Sequence, residues 1–167
     1  MATTLARMKL DELATAAQAI VHARCLETES RWEGAEIWTF THFDVLEAIK
    51  GALPRLVTVR LPGGRVGHVL SSVEGVPRFQ PGEETILFLE RAPAGNFSVT
   101  SWAQGTFRIE RNPQTGRQSV TQDTSAMPVF DPAPRRFEHA GIRNLPLRAF
   151  KQRLAAILEQ QQGRQQP

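Results

Sequence analysis

Short runs of alternating apolar and polar residues, punctuated by Gly and Pro, predict a mostly β fold. Three observations carry this. Ile37, Thr39, Thr41, Phe43 and Val45 alternate with Trp38, Phe40, His42 and Asp44, the period of a long strand. Val57, Val59 and Leu61 alternate with Thr58 and Arg60 in the same way. Ile86-Leu87-Phe88-Leu89 is apolar at every position, which suits a strand buried on both faces. With turn signals at short intervals, they predict a small OB-like barrel of about five to seven strands. A short helix precedes it and an amphipathic helix follows it; a β-sandwich is the alternative.

Leu10, Leu13, Ala17 and Ile20 fall at helical spacing, with Asp11 and Glu12 in the first turn where the helix dipole favours anions. A helix over 9–18 follows, too short to stand without packing. Ile20–Trp32 reads as the first strand, and Gly34 as the turn into the second. After Val45 the alternation slips through Leu46, Ala48 and Ile49, which predicts a bulge or a turn of helix before Gly51. Pro54 leads into the third strand, closed by Pro62-Gly63-Gly64. The glycine-rich stretch to Gly67 reads as a mobile β-loop with a short edge strand at Val66–Ser71.

Thr85–Glu90 reads as the central strand, and Ala94-Gly95-Asn96 as a hairpin turn. Strands are predicted at Phe97–Trp102, Thr106–Arg111 and Gln118–Gln122, the last two joined through Asn112–Arg117. Asp123–Arg143 holds Pro128, Pro132 and Pro134 with little periodicity and reads as an extended linker. Pro146 suits the first position of a helix whose stripe is Leu147, Phe150, Leu154, Ile157 and Leu158. That helix is expected to end near Gln161. The organisation predicted is a barrel domain over 1–123, a linker over 124–144, a helix packed on the barrel over 145–162 and a frayed tail over 163–167.

The 167 residues are enough for one domain with a real core, and 41% hydrophobic with 22% charged residues is the balance of a folded chain. No apolar run approaches the ~18 residues of a membrane span. The net charge is +3, from −3 over residues 1–90 and +6 over 91–167. An excess this small and diffuse does not by itself predict a polyanion ligand. Cys25 is the single cysteine, so neither an internal disulfide nor a thiolate metal cluster can form. It lies among alternating apolar positions and reads as a small core residue.

The four histidines, His22, His42, His68 and His139, show no metal-binding helical spacing. His22 and His42 could share an outward face on neighbouring strands, with Asp44 as a third ligand. Surface histidines are the simpler reading, and no metal or other cofactor is predicted. No nucleophile elbow, phosphate loop or dinucleotide fingerprint is present. Glu83-Glu84 and Glu27/Glu29 read as turn or edge carboxylates, so no acid–base pair is predicted. The candidate binding residues are Trp38, Phe40, His42 and Arg60 on the outward face of strands two and three, with Arg65 and His68 in the adjoining loop. Barrels of this kind stack bases on such a face. The competing reading is that one of the helices or the proline-rich segment covers it.

Several segments together resemble the netrin-like domains, whose inhibitory members are the tissue inhibitors of metalloproteinases. The matching segments are AIVHARCLETES, THFDVLEAIKG, LVTVRLPGG and the step from Phe79 to Leu89, within a span from Ala19 to Arg111. They also look like bacterial exported proteins carrying such domains. The resemblance implies an OB-like barrel and a periplasmic or extracellular location. Met1-Ala2-Thr3-Thr4 has no signal-peptide pattern, so the expectation is that a leader has been removed. The inhibitors bind the protease zinc through an N-terminal cysteine; this chain has none there, and that activity is not carried over. The expectation is a non-catalytic, exported binding domain whose partner is a protein or a cell-surface component. The alternative is an OB-fold binder of single-stranded nucleic acid or oligosaccharide.

Overall fold

A computed structural model describes residues 6–124, 129–131, 133, 135–138 and 141–165. Two long antiparallel strands, β1 (Ala19–Glu33) and β2 (Glu36–Lys50), are joined by the two-residue turn Gly34-Ala35. Gly34 has φ of 62°, the left-handed conformation that a turn this tight requires. β3 (Leu56–Pro62) pairs with β2, β6 (Glu84–Arg91) pairs with the other edge of β1, and β7 (Phe97–Val99) joins β6 to β3. The five strands form a barrel-like ring. Its weakest seam is the single parallel pair Val59–Phe97 between β3 and β7, so the barrel is not fully closed. The ring is consistent with the small OB-like barrel of about five to seven strands that the sequence predicts.

β8 (Thr106–Arg111) and β9 (Gln118–Gln122) extend the sheet from β6, and β12 (Leu145–Pro146) adds to β9. Two small hairpins stand apart: β4 (Gly64–Val66) with β5 (Val69–Ser71), and β10 (Val129–Asp131) with β11 (Arg136–Glu138). The helices are α1 (Leu10–Ala16) and α2 (Leu147–Gln165).

The slip in alternation after Val45 is a pair of β-bulges. Ile20 and Val21 pair with Lys50 and Ala48, skipping Ile49; His22 and Ala23 pair with Glu47 and Val45, skipping Leu46. The extra residues bend the strand without ending it. The bend carries Lys50 back to α1, where its Nζ donates to Ala14 O at 2.8 Å and Ala17 O at 2.6 Å. Those carbonyls are left over at the helix end, and a cation there also suits the helix dipole. Gly51 follows with φ of 82°, its Cα facing the Gln18 carbonyl. The lysine-glycine pair thus ties the helix to the strand.

Two cores share β6. Leu87 and Leu89 face the ring interior with Val21, Ala23, Cys25, Phe43, Val57, Val59 and Leu61. Ile86 and Phe88 face the other way, against Leu10, Leu13, Ile20, Phe107, Val120, Phe150 and Leu154. The second core exists because α1 and α2 lay their stripes on that side of the sheet. Phe107 stacks between Phe88 and Phe150, with centroids 5.3 and 4.8 Å away.

The structure corrects four readings. The strand expected over Phe97–Trp102 stops at Val99, because Ser101 and Trp102 turn left-handed (φ of 52° and 47°) into a 3-10 turn over Trp102–Gly105. A Cβ on Gly105 would run into the Thr100 carbonyl, so only glycine lets the chain double back there. The glycine-rich stretch after β3, read as a loop with one edge strand, is a hairpin of two short strands, β4 and β5, with Gly63 and Gly64 buried. The segment read as an extended linker carries β10–β11, and Ala6 bridges to Phe130. α2 runs to Gln165, beyond the expected end and through part of the expected frayed tail.

Phe88 is fully buried between the helices and the sheet, so Phe88→Ala is expected to cost about 3–5 kcal/mol in urea unfolding. Leu26→Ala, at an exposed bulge position, is expected to stay within about 0.5 kcal/mol. Equal losses at both sites would contradict the shared-core arrangement.

Candidate functional site

Strand alternation sets Trp38, Phe40, His42 and Asp44 of β2 beside Pro62, Arg60, Thr58 and Leu56 of β3, all on the outer face of the ring. On β1 the register places Arg31, Glu29 and Glu27 opposite Trp38, Phe40 and His42. Both helices pack on the opposite flank, over Ile86, Phe88 and Phe107. Among the described residues, α2 reaches the outer side of β1 and β2 only at His22 and Glu47, and no helix packs over Trp38, Phe40 or His42.

Its aromatic rings are covered instead by arginines. The Arg60 guanidinium lies 3.4 Å from the centre of the Trp38 ring, and the Arg31 guanidinium 3.8 Å from that of Phe40. Arg60 donates from Nε and Nη2 to Glu33 Oε2, and Arg31 pairs with Glu29 at 2.9 Å. A planar cation stacked on a ring and held by a carboxylate is a more rigid unit than either contact alone. Phe40 is consequently only 3% exposed, which corrects its reading as an available outward residue. His42 Nδ1 and Thr58 Oγ1 share a hydrogen bond of 2.8 Å. Asp44 accepts from Arg55 at 2.9 Å, and that hydrogen bond holds its carboxyl below the ordinary value.

The six candidates divide. Trp38, Phe40, His42 and Arg60 lie together. Arg65 is on β4 and His68 in the β4–β5 turn, both exposed. A Cβ on Gly64 would collide with Ser30 Oγ and Thr39 Oγ1, so β4 sits against the inward-facing side of the β1–β2 hairpin. Arg65 accordingly lines a different cavity, with Thr28, Ser30, Thr39 and Thr41.

No protein-family model, curated protein or solved structure matches the chain.

His22 and His42 do not meet. His22 pairs across the sheet with Glu47 and His42 with Glu27. His22 is buried under α2, where Nε2 donates to Glu84 Oε2 at 2.9 Å and Nδ1 accepts from Lys151 Nζ at 3.1 Å. Lys151 also donates to Glu47, and Arg24 to the second oxygen of Glu84. The chain from Arg24 to Glu47 fastens α2 to β1, β2 and β6. Among the described residues, no three His, Cys, Asp or Glu side chains gather closely enough to hold a metal ion. His139 lies outside the described residues. Cys25 is buried in the ring, where loss of solvation and, second, the Glu83 charge push its thiol above the ordinary value. Glu83 itself pairs with Arg108, which also holds Asp123.

Sequence reasoning missed Arg31 and Glu33 as parts of the outer face. The signal was there: folding the chain about Gly34-Ala35 puts Arg31 opposite Trp38. Glu84 was read as an edge carboxylate, and its contacts with His22 and Arg24 come from strands 60 or more residues apart in sequence.

Arg60→Ala is expected to lower stability by about 1 kcal/mol in urea unfolding, since it removes a stacked cation and its ion pair. Arg60→Lys should not restore it, because an ammonium cannot lie flat on the indole; full recovery with lysine would refute the stacking. The Arg24 hydrogen bond, and then that of His22, hold the Glu84 carboxyl below its ordinary value of 4.5. The stabilisation from Glu84 is therefore complete above that value and lost as pH falls through the lower folded one. Glu84→Gln is expected to flatten this acid limb of stability against pH; an unchanged slope would show that Glu84 does not contribute to it.

Proposed function

We propose that the chain is a non-catalytic, exported binding domain that presents the outer face of β1, β2 and β3 to a protein partner. The observation that carries this reading is the pair of arginine–aromatic stacks, Arg60 on Trp38 and Arg31 on Phe40, each anchored by a glutamate. They make a preordered surface of rings, guanidinia and carboxylates beside the exposed Leu56. Arginine and tryptophan are the residues that most often dominate protein–protein contacts, and prior ordering lowers the entropy lost on binding.

Single-stranded nucleic acid is disfavoured on the same face. A base needs an open ring to stack on, and these rings already carry guanidinium groups. Glu27, Glu29, Glu33 and Asp44 oppose a phosphate backbone there. The non-catalytic part of the reading is supported by the buried Cys25 and by the pairing of His22, His42 and Asp44 with neighbouring side chains. The exported location rests on the netrin-like segments.

The test is retention of envelope proteins from the source cells on immobilised wild-type, Trp38→Ser and Arg60→Glu proteins, with a parallel titration by oligo-dT. The expected result is a discrete retained protein lost with both variants, and no oligonucleotide binding. Identical retention by all three would overturn the reading. Oligo-dT binding that weakens steeply with salt and is lost in Arg60→Glu would assign the face to nucleic acid.

A further inference from the structure

A second concavity lies on the other side of the β1–β2 hairpin, beside β4. It is a cavity of about 420 Å³, within the ~300–1,000 Å³ range of small-molecule sites. Thr28, Ser30, Thr39 and Thr41 line it together with Arg65 and Arg78, with no aspartate or glutamate in the lining. Neither arginine meets a carboxylate among the described residues. Arg78 Nη2 donates to Pro62 O at 2.9 Å, and Arg65 is exposed. This contrasts with the outer face, where Arg31, Arg55 and Arg60 are each neutralised by a neighbour.

The glycine pair after β3 makes the cavity possible. Gly63 and Gly64 have φ of 88° and 135°, and a Cβ on Gly63 would strike Arg78 Nη2 and the Ser71 carbonyl. A Cβ on Gly64 would strike the Ser30 and Thr39 hydroxyls. Two glycines let the backbone pass close to the hydroxyl wall and leave Arg78 beside it.

The hydroxyls have a determinate polarity. Thr39 Oγ1 donates to Gly63 O at 2.7 Å, so the 2.8 Å bond between Ser30 and Thr39 uses the Ser30 hydrogen. Both oxygens therefore keep lone pairs that can only accept. Thr28 and Thr41 share one bond of 3.1 Å, which leaves one hydroxyl hydrogen between them. Two guanidinium donors together with acceptor oxygens call for a ligand that carries both an anion and hydroxyl donors. A fully ionised phosphate or sulfate brings acceptors alone. At the rim, Leu70 is 60% exposed and offers an apolar surface to the C–H face of a sugar ring.

We propose that this cavity binds an acidic sugar, with its carboxylate held by Arg65 and Arg78 and its ring hydroxyls donating to Ser30 and Thr39. Trp32 shares that face of β1, two residues beyond Ser30, and is 48% exposed. It supplies a stacking position for the next ring of an acidic polysaccharide. This site uses none of the side chains assigned to the protein-binding face, so either assignment can fail alone.

The test is an amide-shift NMR titration of the intact chain with glucuronate, glucose, inorganic phosphate and a glucuronate-containing oligosaccharide. Glucuronate is expected to shift the Ser30, Gly63 and Gly64 amides saturably, with glucose at least about tenfold weaker. Arg65→Gln, at a side chain with no hydrogen bond or ion pair among the described residues, is expected to weaken glucuronate about tenfold. Tighter binding of the oligosaccharide, with only that gain lost in Trp32→Ala, would identify a polymer as the source; equal binding would identify the free sugar acid. Either supports the site. No saturable shift with glucuronate, equal binding of glucose or of phosphate, or an unchanged affinity in Arg65→Gln would overturn it.

Discussion

Burial of β6 on both faces is the constraint from which the rest of the structure follows. Ile86, Leu87, Phe88 and Leu89 are all fully buried, so β6 must be covered on two sides at once. The ring covers one side. The other can be covered only by elements outside the ring, and the chain supplies α1 before it and α2 after it. Fully burying each such side chain contributes roughly 1.5–3 kcal/mol, far more than any ion pair on the surface. The stripe Leu147, Phe150, Leu154 is thereby committed to this flank.

That commitment leaves the stretch of the outer face around Trp38, Phe40 and His42 clear of α1 and α2. There, Trp38 and Phe40 are shielded by cross-strand arginines. The same hairpin carries a second, chemically different surface on its inward side, where hydroxyls stand beside the core residues Leu61 and Phe79. Thr28, Ser30, Thr39 and Thr41 occupy positions that nearer the ring's centre belong to Cys25 and Phe43.

The fold was largely legible. The alternations at 37–45 and 57–61 gave the correct inward residues, and the apolar run at 86–89 identified the central strand. The slip after Val45 was seen, and pairing resolved it into bulges. Trp102 was misread because a strand and a left-handed turn can share the same local alternation; the close approach of Gly105 to Thr100 decides between them. The candidate site was legible in part. Parity alone grouped Trp38, Phe40, His42 and Arg60, but parity cannot show that Phe40 lies beneath Arg31, nor that the loop bearing Arg65 folds to the opposite side.

The sequence by itself determined the long strands and their inward faces, the two helices and the central place of β6, because these depend on local periodicity and on how much apolar surface must be buried. The tertiary structure alone decided which flank the helices cover, which arginines are neutralised, and where Gly63 and Gly64 bring the chain against Ser30 and Thr39. Those outcomes depend on contacts between residues distant in sequence. A cation on Arg60 and one on Arg65 look alike in the chain; only the fold gives the first a glutamate and leaves the second facing a cavity without a carboxylate.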